Sequence, residues 1–178
     1  MPTLVIGNKN YSSWSLRPWI AMRQAGIGFE EVLIPLDEPD TKARIAEYSP
    51  AGKVPVWTDG AATVWESLAI LEHLAERFPG AGLWPEDPAA RAAARSVAAE
   101  MHAGFHALRE ACPMNMRKRF AERDRGPAVA RDVSRIDQIW RDCRGWFGAG
   151  GPFLFGPFTA EPWVLAQDEV DEPEIAPA

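Results

Sequence analysis

Strand-type patterning in this chain stops at Phe78. Up to that point short β-branched apolar runs alternate with helix-like stretches, and beyond Pro88 only helical periodicity remains. The boundary, residues 79–88 (PGAGLWPEDP), carries three prolines and two glycines and reads as an interdomain linker. A chain divided this way is expected to fold as an α/β domain over 1–78 followed by an all-α domain over 89–158.

Within the first part, Leu4-Val5-Ile6 is a short strand ended by Gly7. Leu16, Trp19, Ile20, Met22 and Ala25 then recur at helical spacing until Gly26, with Ser15 as the expected N-cap and Pro18 in the first turn. Phe29–Ile34 is β-leaning and closed by Pro35, and Thr41–Tyr48 is a weak helix with Thr41 as its candidate cap. In Lys53-Val54-Pro55 the proline suits the start of a strand rather than its middle, and a cis bond there would turn the Val54 backbone outward. Asp59-Gly60 marks a hairpin between Val56-Trp57-Thr58 and Thr63-Val64-Trp65. Glu66-Ser67 opens an amphipathic helix whose apolar positions are Leu68, Ile70, Leu71, Leu74, Ala75 and Phe78. The order is β-α-β-α-β-β-α.

The second part offers an Ala-rich helix over 89–111, broken by Pro113, and a longer one over 125–147. Val129, Val133, Ile136, Ile139, Trp140 and Trp146 are its expected inward positions. Gly148–Gly151 lacks the Gly-Lys-Ser/Thr of a phosphate loop and reads as a plain loop. Residues 159–178 form a divergent tail; from Gln167 onward it is acidic, proline-containing and too poor in apolar groups to pack, so disorder is expected there.

Composition narrows the function classes. With 47% hydrophobic and 25% charged residues the chain has the balance of a soluble globular protein. No window reaches the roughly 18 consecutive apolar residues that span a bilayer. No basic leader precedes an apolar core, so a cytoplasmic protein without a membrane partner is expected. The net charge of −6 is distributed as −3 over 1–80, +3 over 81–158 and −6 over 159–178. The one basic run, Arg117-Lys118-Arg119 with Arg123 and Arg125, is interleaved with Glu122 and Asp124, which argues against a nucleic-acid partner. Cys112 and Cys143 stand alone, the pattern of buried free thiols in a reducing compartment.

Three stretches carry chemistry. The turn Asn10–Trp19 (NYSSWSLRPW) places Tyr11, Ser12 and Ser13 at the mouth of the first helix. Free N–H groups and the positive end of the helix dipole would favour an anion there, or a thiol that must become one. The same hydroxyls could serve only as turn formers and caps. Together with Lys53-Val54-Pro55 and Glu66-Ser67 at this spacing, the turn resembles the N-terminal, thioredoxin-like domain of glutathione S-transferases, which is followed by an all-helical domain. YSSWSLRPW is similar to the serine-type segment of that family, closest to the zeta-class pattern Ser-Ser-x-x-x-Arg. The run AEMHAGFHALREACPMNMR (residues 99–117) resembles a bacterial branch of it, and the likeness covers roughly residues 3–158.

The resemblance implies a homodimeric transferase or isomerase that takes glutathione as cosubstrate, needs no metal, and attacks a small electrophile. A free thiol near pKa ~8.5 becomes mostly thiolate at pH 7 only if lowered by about two units, roughly 2.7 kcal/mol of preferential stabilisation. Ser12 aligns with the catalytic serine and Ser13 is the alternative, since a slip of one residue exchanges them; Tyr11 is a third candidate, because some classes use tyrosine, though packing suits it better. Lys53, Val54, Pro55, Glu66 and Ser67 are implied glutathione contacts: Lys53 at the glycyl carboxylate, Val54 through its backbone beside a cis Pro55, and Glu66 and Ser67 at the γ-glutamyl end. Without the resemblance, Glu66-Ser67 is equally a helix-start cap. Tyr11, Trp14, His102, Phe105, His106 and Arg109 are the candidates for an electrophile pocket, with simple packing an equal reading for His102, Phe105, His106 and Arg109. His102 and His106 sit four apart, but no third metal ligand is evident. Ser12-x-x-Ser15 stands where disulfide exchangers carry Cys-x-x-Cys, which excludes thiol exchange by the protein at that site.

The likeness ends after Phe153–Thr159. There the family continues with an Asp-bearing apolar helix, whereas Thr159-Ala160-Glu161-Pro162 places proline at the capping position. The helical domain is therefore expected to be incomplete, truncated or divergent. The other functional reading is a non-catalytic glutathione-binding or interaction module, or an inactive truncated member.

Overall fold

The computed structural model describes residues 1–60, 62–121 and 123–156. Expectations for the tail, including Pro162 and residues 159–178, lie outside the described residues. The elements are β1 (Thr3–Ile6), α1 (Ser13–Gln24), β2 (Glu30–Leu33), α2 (Thr41–Ala46), β3 (Val56–Thr58), β4 (Thr63–Trp65), α3 (Ser67–Arg77), α4 (Pro88–Ala103), α5 (His106–Ala111) and α6 (Pro127–Phe147), with one 3-10 turn at Pro79–Ala81.

The four strands form one sheet in the order β2-β1-β3-β4. β1 runs parallel to β2 with Val5 opposite Val32, and antiparallel to β3 with Val5 opposite Val56. Asp59-Gly60 turns β3 into β4, which pairs antiparallel with it. Alternation along β1 decides the layers. Leu4 and Ile6, both fully buried, join the large core containing Trp57 of β3, Met22 of α1 and Ile70, Leu71 and Leu74 of α3. Val5 points the other way, into a smaller cluster with Ile34, Val56 and Ile45 of α2. The expected strand and helix order of the first part is the observed one.

Residues 79–88 are more than a spacer. Leu83 is 2% and Trp84 8% exposed, and both belong to the same core as Ala94, Ala98 and Met101 of α4 and Ile136 and Ile139 of α6. Bidentate ion pairs stitch the surface above it: Arg95 to Glu72 at 3.0 Å for both bonds, and Arg135 to Glu100 at 2.6 and 2.8 Å.

The helix expected over 89–111 is two helices. Gly104 leaves α4 with extended dihedrals, and a Cβ there would lie 2.8 Å from the Glu100 carbonyl oxygen. Phe105 follows at φ 61°, so it cannot cap α5 in the usual way; the Leu108 N–H donates instead to Asp132 Oδ2 of α6 at 3.0 Å. Arg109 closes the other side of the break by donating to the Met101 and Gly104 carbonyls at 2.6 and 3.1 Å. Along α6 the buried positions are Val129, Ile136, Ile139 and Cys143. Val133 (47% exposed) and Trp146 (68%) face outward, against expectation, because the buried stripe advances by seven and by three or four residues and passes them by. Cys143 is buried and Cys112 only half-buried; both are free thiols.

Candidate functional site

The first helix starts earlier than its sequence suggests. Ser12, not Ser15, is the N-cap, accepting from the Ser15 N–H at 3.4 Å, and α1 begins at Ser13. Ser15 is drawn inward because its hydroxyl has another partner: the Gly7 N–H at the end of β1 donates to Ser15 Oγ at 3.1 Å. The Ser12 hydroxyl donates to the same oxygen at 2.8 Å. Ser12 is 8% exposed and Ser15 fully buried, so strand end and helix mouth are tied by two serines rather than one. Ser13 is half-buried and Tyr11 exposed.

A cleft of about 270 Å³ opens between the sheet and α4. Lys53, Val54, Pro55, Glu66 and Ser67 all line it, joined by Trp14, Ala51, Trp65 and His102. The Val54–Pro55 bond is cis, as expected. The five residues that the resemblance assigned to glutathione thus share one concave surface, although they come from a loop, a strand start and a helix start.

Glu66 and Ser67 are shaped for more than capping. Glu66 precedes α3 at φ 69°, ψ 125°, a region that a side-chain-bearing residue occupies only at a cost of about 1–3 kcal/mol, and its side chain makes no cap hydrogen bond. Its carboxylate instead approaches His102 Nε2 at 3.6 Å. Ser67 is 1% exposed, and its Oγ has no hydrogen-bond partner among the described residues. It sits at the first position of α3, where the backbone N–H also lacks an intrahelical partner. An unpaired buried hydroxyl beside unpaired N–H groups at a helix start is a fit for a carboxylate.

The far wall is aromatic and cationic. The guanidinium groups of Arg17 and Arg109 lie over the Trp14 ring, 4.0 and 4.9 Å from its centroid, and His102 meets the ring edge-on at 5.1 Å. Burial lowers the His102 pKa; the Glu66 carboxylate opposes this, while Arg17 and Arg109 add to it, and the net is below 6.5. Arg17 is 1% exposed, a buried cation that sequence reading noted only as part of a motif. Its i, i+3 spacing from Trp14 on α1 was the available signal.

The remaining electrophile-pocket candidates divide. Tyr11 lines a second cleft of about 310 Å³ with Asn8, Lys9, Asn10, Leu33 and Arg117. Trp14, His102 and Arg109 gather at the first cleft or its wall. Phe105 is 8% exposed within the hydrophobic core, and His106 lies on the surface, so neither lines either cleft. Among the described residues no group of three His, Cys, Asp or Glu is placed to hold a metal ion.

Residues 11–77 match the family model for the glutathione S-transferase N-terminal domain. The chain is 33% identical over 107 residues to a probable maleylacetoacetate isomerase of Caenorhabditis elegans, covering 60% of this chain and 49% of that protein. It is 28% identical over 153 residues to the maleylacetoacetate isomerase of Pseudomonas aeruginosa, covering 80% and 72%. The chain carries a glutathione S-transferase N-terminal domain.

Its fold agrees. A glutathione transferase homologue from Burkholderia, crystallised with bound glutathione, superposes with a TM-score of 0.65 at 20% identity over 93% of this chain and 77% of that one. The chain spans about half the length of the nematode relative.

Proposed function

We propose that this chain is a glutathione-dependent transferase or isomerase that holds the peptide in the 270 Å³ cleft and activates its thiol at the mouth of α1. The observation that carries the reading is Ser67: a hydroxyl 1% exposed, without a partner among the described residues, aimed at no protein group and lining a cleft at a helix start. Such a group is costly unless a ligand satisfies it, by about 1–3 kcal/mol. The γ-glutamyl carboxylate would accept from Ser67 Oγ and the first N–H groups of α3, and Glu66 would accept from the ammonium. The backbone of Val54 would meet the cysteinyl part and Lys53 the glycyl carboxylate.

Ser12 is the proposed donor to the thiolate, with Ser13 beside it, and Trp14, His102 and Arg109 face the electrophile, whereas Tyr11 lies at the second cleft. The thiol gives its proton to solvent, and the resulting thiolate attacks an electrophilic carbon, either expelling a leaving group with its bonding pair or adding across a conjugated double bond whose π pair moves to the adjoining carbonyl oxygen. A zeta-type isomerisation is the finer form of this proposal, supported by the Ser-Ser-x-x-x-Arg pattern and by the relatives named maleylacetoacetate isomerase. The proposal includes a cytoplasmic homodimer that covers the edge strand β4, where Trp65 is 43% exposed.

A second reading, a glutathione-binding module without turnover, draws on the same Ser12, whose hydroxyl is directed to Ser15 rather than outward. Calorimetric titration with glutathione and turnover of a generic chloronitrobenzene electrophile separate the two. Binding with turnover that collapses in Ser12→Ala supports the enzyme; binding without turnover supports the module; no binding sinks both.

A further inference from the structure

We propose that Ser15 is a positioning residue for the thiol chemistry: it accepts a hydrogen bond from the Ser12 hydroxyl in the resting protein and returns one to Ser12 when a thiolate is present. The inference rests on the reading of Ser12 as thiolate donor and adds a second hydroxyl to it.

Ser15 Oγ is fully buried and receives two donors, the Gly7 N–H at 3.1 Å and the Ser12 hydroxyl at 2.8 Å. The first of these is fixed, because Gly7 is backbone at the end of β1. The second is free to reverse, since each hydroxyl carries one proton and rotates about its C–O bond. With a thiolate beside Ser12, the Ser12 O–H turns to sulfur and its oxygen is left to accept. The Ser15 O–H, 2.8 Å away, then donates to that oxygen. Gly7 N–H, Ser15 O–H and Ser12 O–H thereby point in one direction, each polarising the next toward the anion.

No proton leaves either serine in this sequence. The thiol proton goes to solvent, two hydroxyls rotate, and no bond to carbon or sulfur is made by the protein. The arrangement explains why Ser15 has left the N-cap role for which its position suits it. As a cap it would bond a backbone N–H of α1; here it is spent on Ser12 and on the strand end.

The test is the pKa of the glutathione thiol in the complex, read by thiolate absorbance across pH, with glutathione affinity measured in parallel. Ser15→Ala and Ser15→Cys are compared with the parent and with Ser12→Ala. The Cys variant keeps the packing and exchanges a strong donor for a weak one. Both Ser15 variants are expected to raise the bound thiol pKa by about one unit, lowering turnover at pH 6.5 about fivefold. Affinity for glutathione at or below pH 6.5, where linkage to the thiol proton is small, should stay within about twofold, on the reading that Ser15 never touches the peptide. A thiol that titrates as in the parent in Ser15→Cys, or a shift confined to the Ala variant, overturns the proposal. If Ser12→Ala also leaves the thiol pKa unmoved, the reading of Ser12 as donor fails with it, a result distinct from failure at Ser15 alone.

Discussion

His102 Nε2 of α4 stands 3.6 Å from Glu66 Oε2 at the start of α3, so the helical half reaches the residue that the fold holds at positive φ. The contact is one wall of the cleft and a link between the two halves of the chain. It is also a titrating link, since burial, Arg17 and Arg109 together keep His102 below its ordinary value despite the carboxylate.

That depression fixes the sign of a pH effect. A histidine whose folded pKa lies below 6.5 binds fewer protons folded than unfolded, so stability is full above about pH 6.5 and falls as acid brings the pH through the folded value. His102→Gln removes the titration. Urea unfolding at pH 7.5 and 5.5 should give a smaller acid loss in the variant than in the parent; an equal loss in both would assign the acid sensitivity elsewhere.

Ser67→Ala is expected to separate stability from binding. The hydroxyl has no partner among the described residues, so its removal should leave the melting temperature unchanged or raise it, worth up to about 1 kcal/mol. Glutathione affinity should fall at least about tenfold, the scale of one hydrogen bond to a charged group. Thermal melts with and without glutathione check both at once. A destabilised variant with parental affinity would make Ser67 a structural residue only.

Glu66→Gly probes the strained backbone next to it. Glycine takes φ 69° without a Cβ penalty, so the variant should gain about 1 kcal/mol in urea unfolding while losing glutathione affinity with the carboxylate. Loss of stability instead would mean that the His102 contact outweighs the backbone strain.

Much of this was legible in the sequence, for local reasons. β1, β3 and β4 follow from short β-branched runs and an Asp-Gly turn, and the residues 53–55 and 66–67 that line the cleft are those the family resemblance implied. What escaped is tertiary. Ser15 looked like the N-cap because nothing local reveals that the Gly7 N–H takes its hydroxyl, which leaves Ser12 as cap. Val133 and Trp146 are apolar enough to read as core, yet the α6 stripe that meets α4 and α5 passes between them. The helix expected over 89–111 is broken at Gly104, and the break puts Phe105 in the core and His106 on the surface.

The break itself depends on a distant side chain, and this gives the last prediction. α5 has only six residues, and its N-cap position is Phe105 at φ 61°, with no side-chain oxygen to offer. Asp132, 24 residues beyond Leu108, supplies the missing acceptor to the Leu108 N–H at 3.0 Å. A negative charge there also meets the positive end of the short helix. Asp132→Ala should therefore cost about 1–2 kcal/mol, the range of a lost N-cap, and Asp132→Asn less, because the amide oxygen still accepts. Hydrogen exchange localises the effect: the Leu108 amide should lose protection in Asp132→Ala while the amides of α3 keep theirs. If Leu108 stays as protected as in the parent, α5 is held by packing of Leu108 alone and not by its borrowed cap.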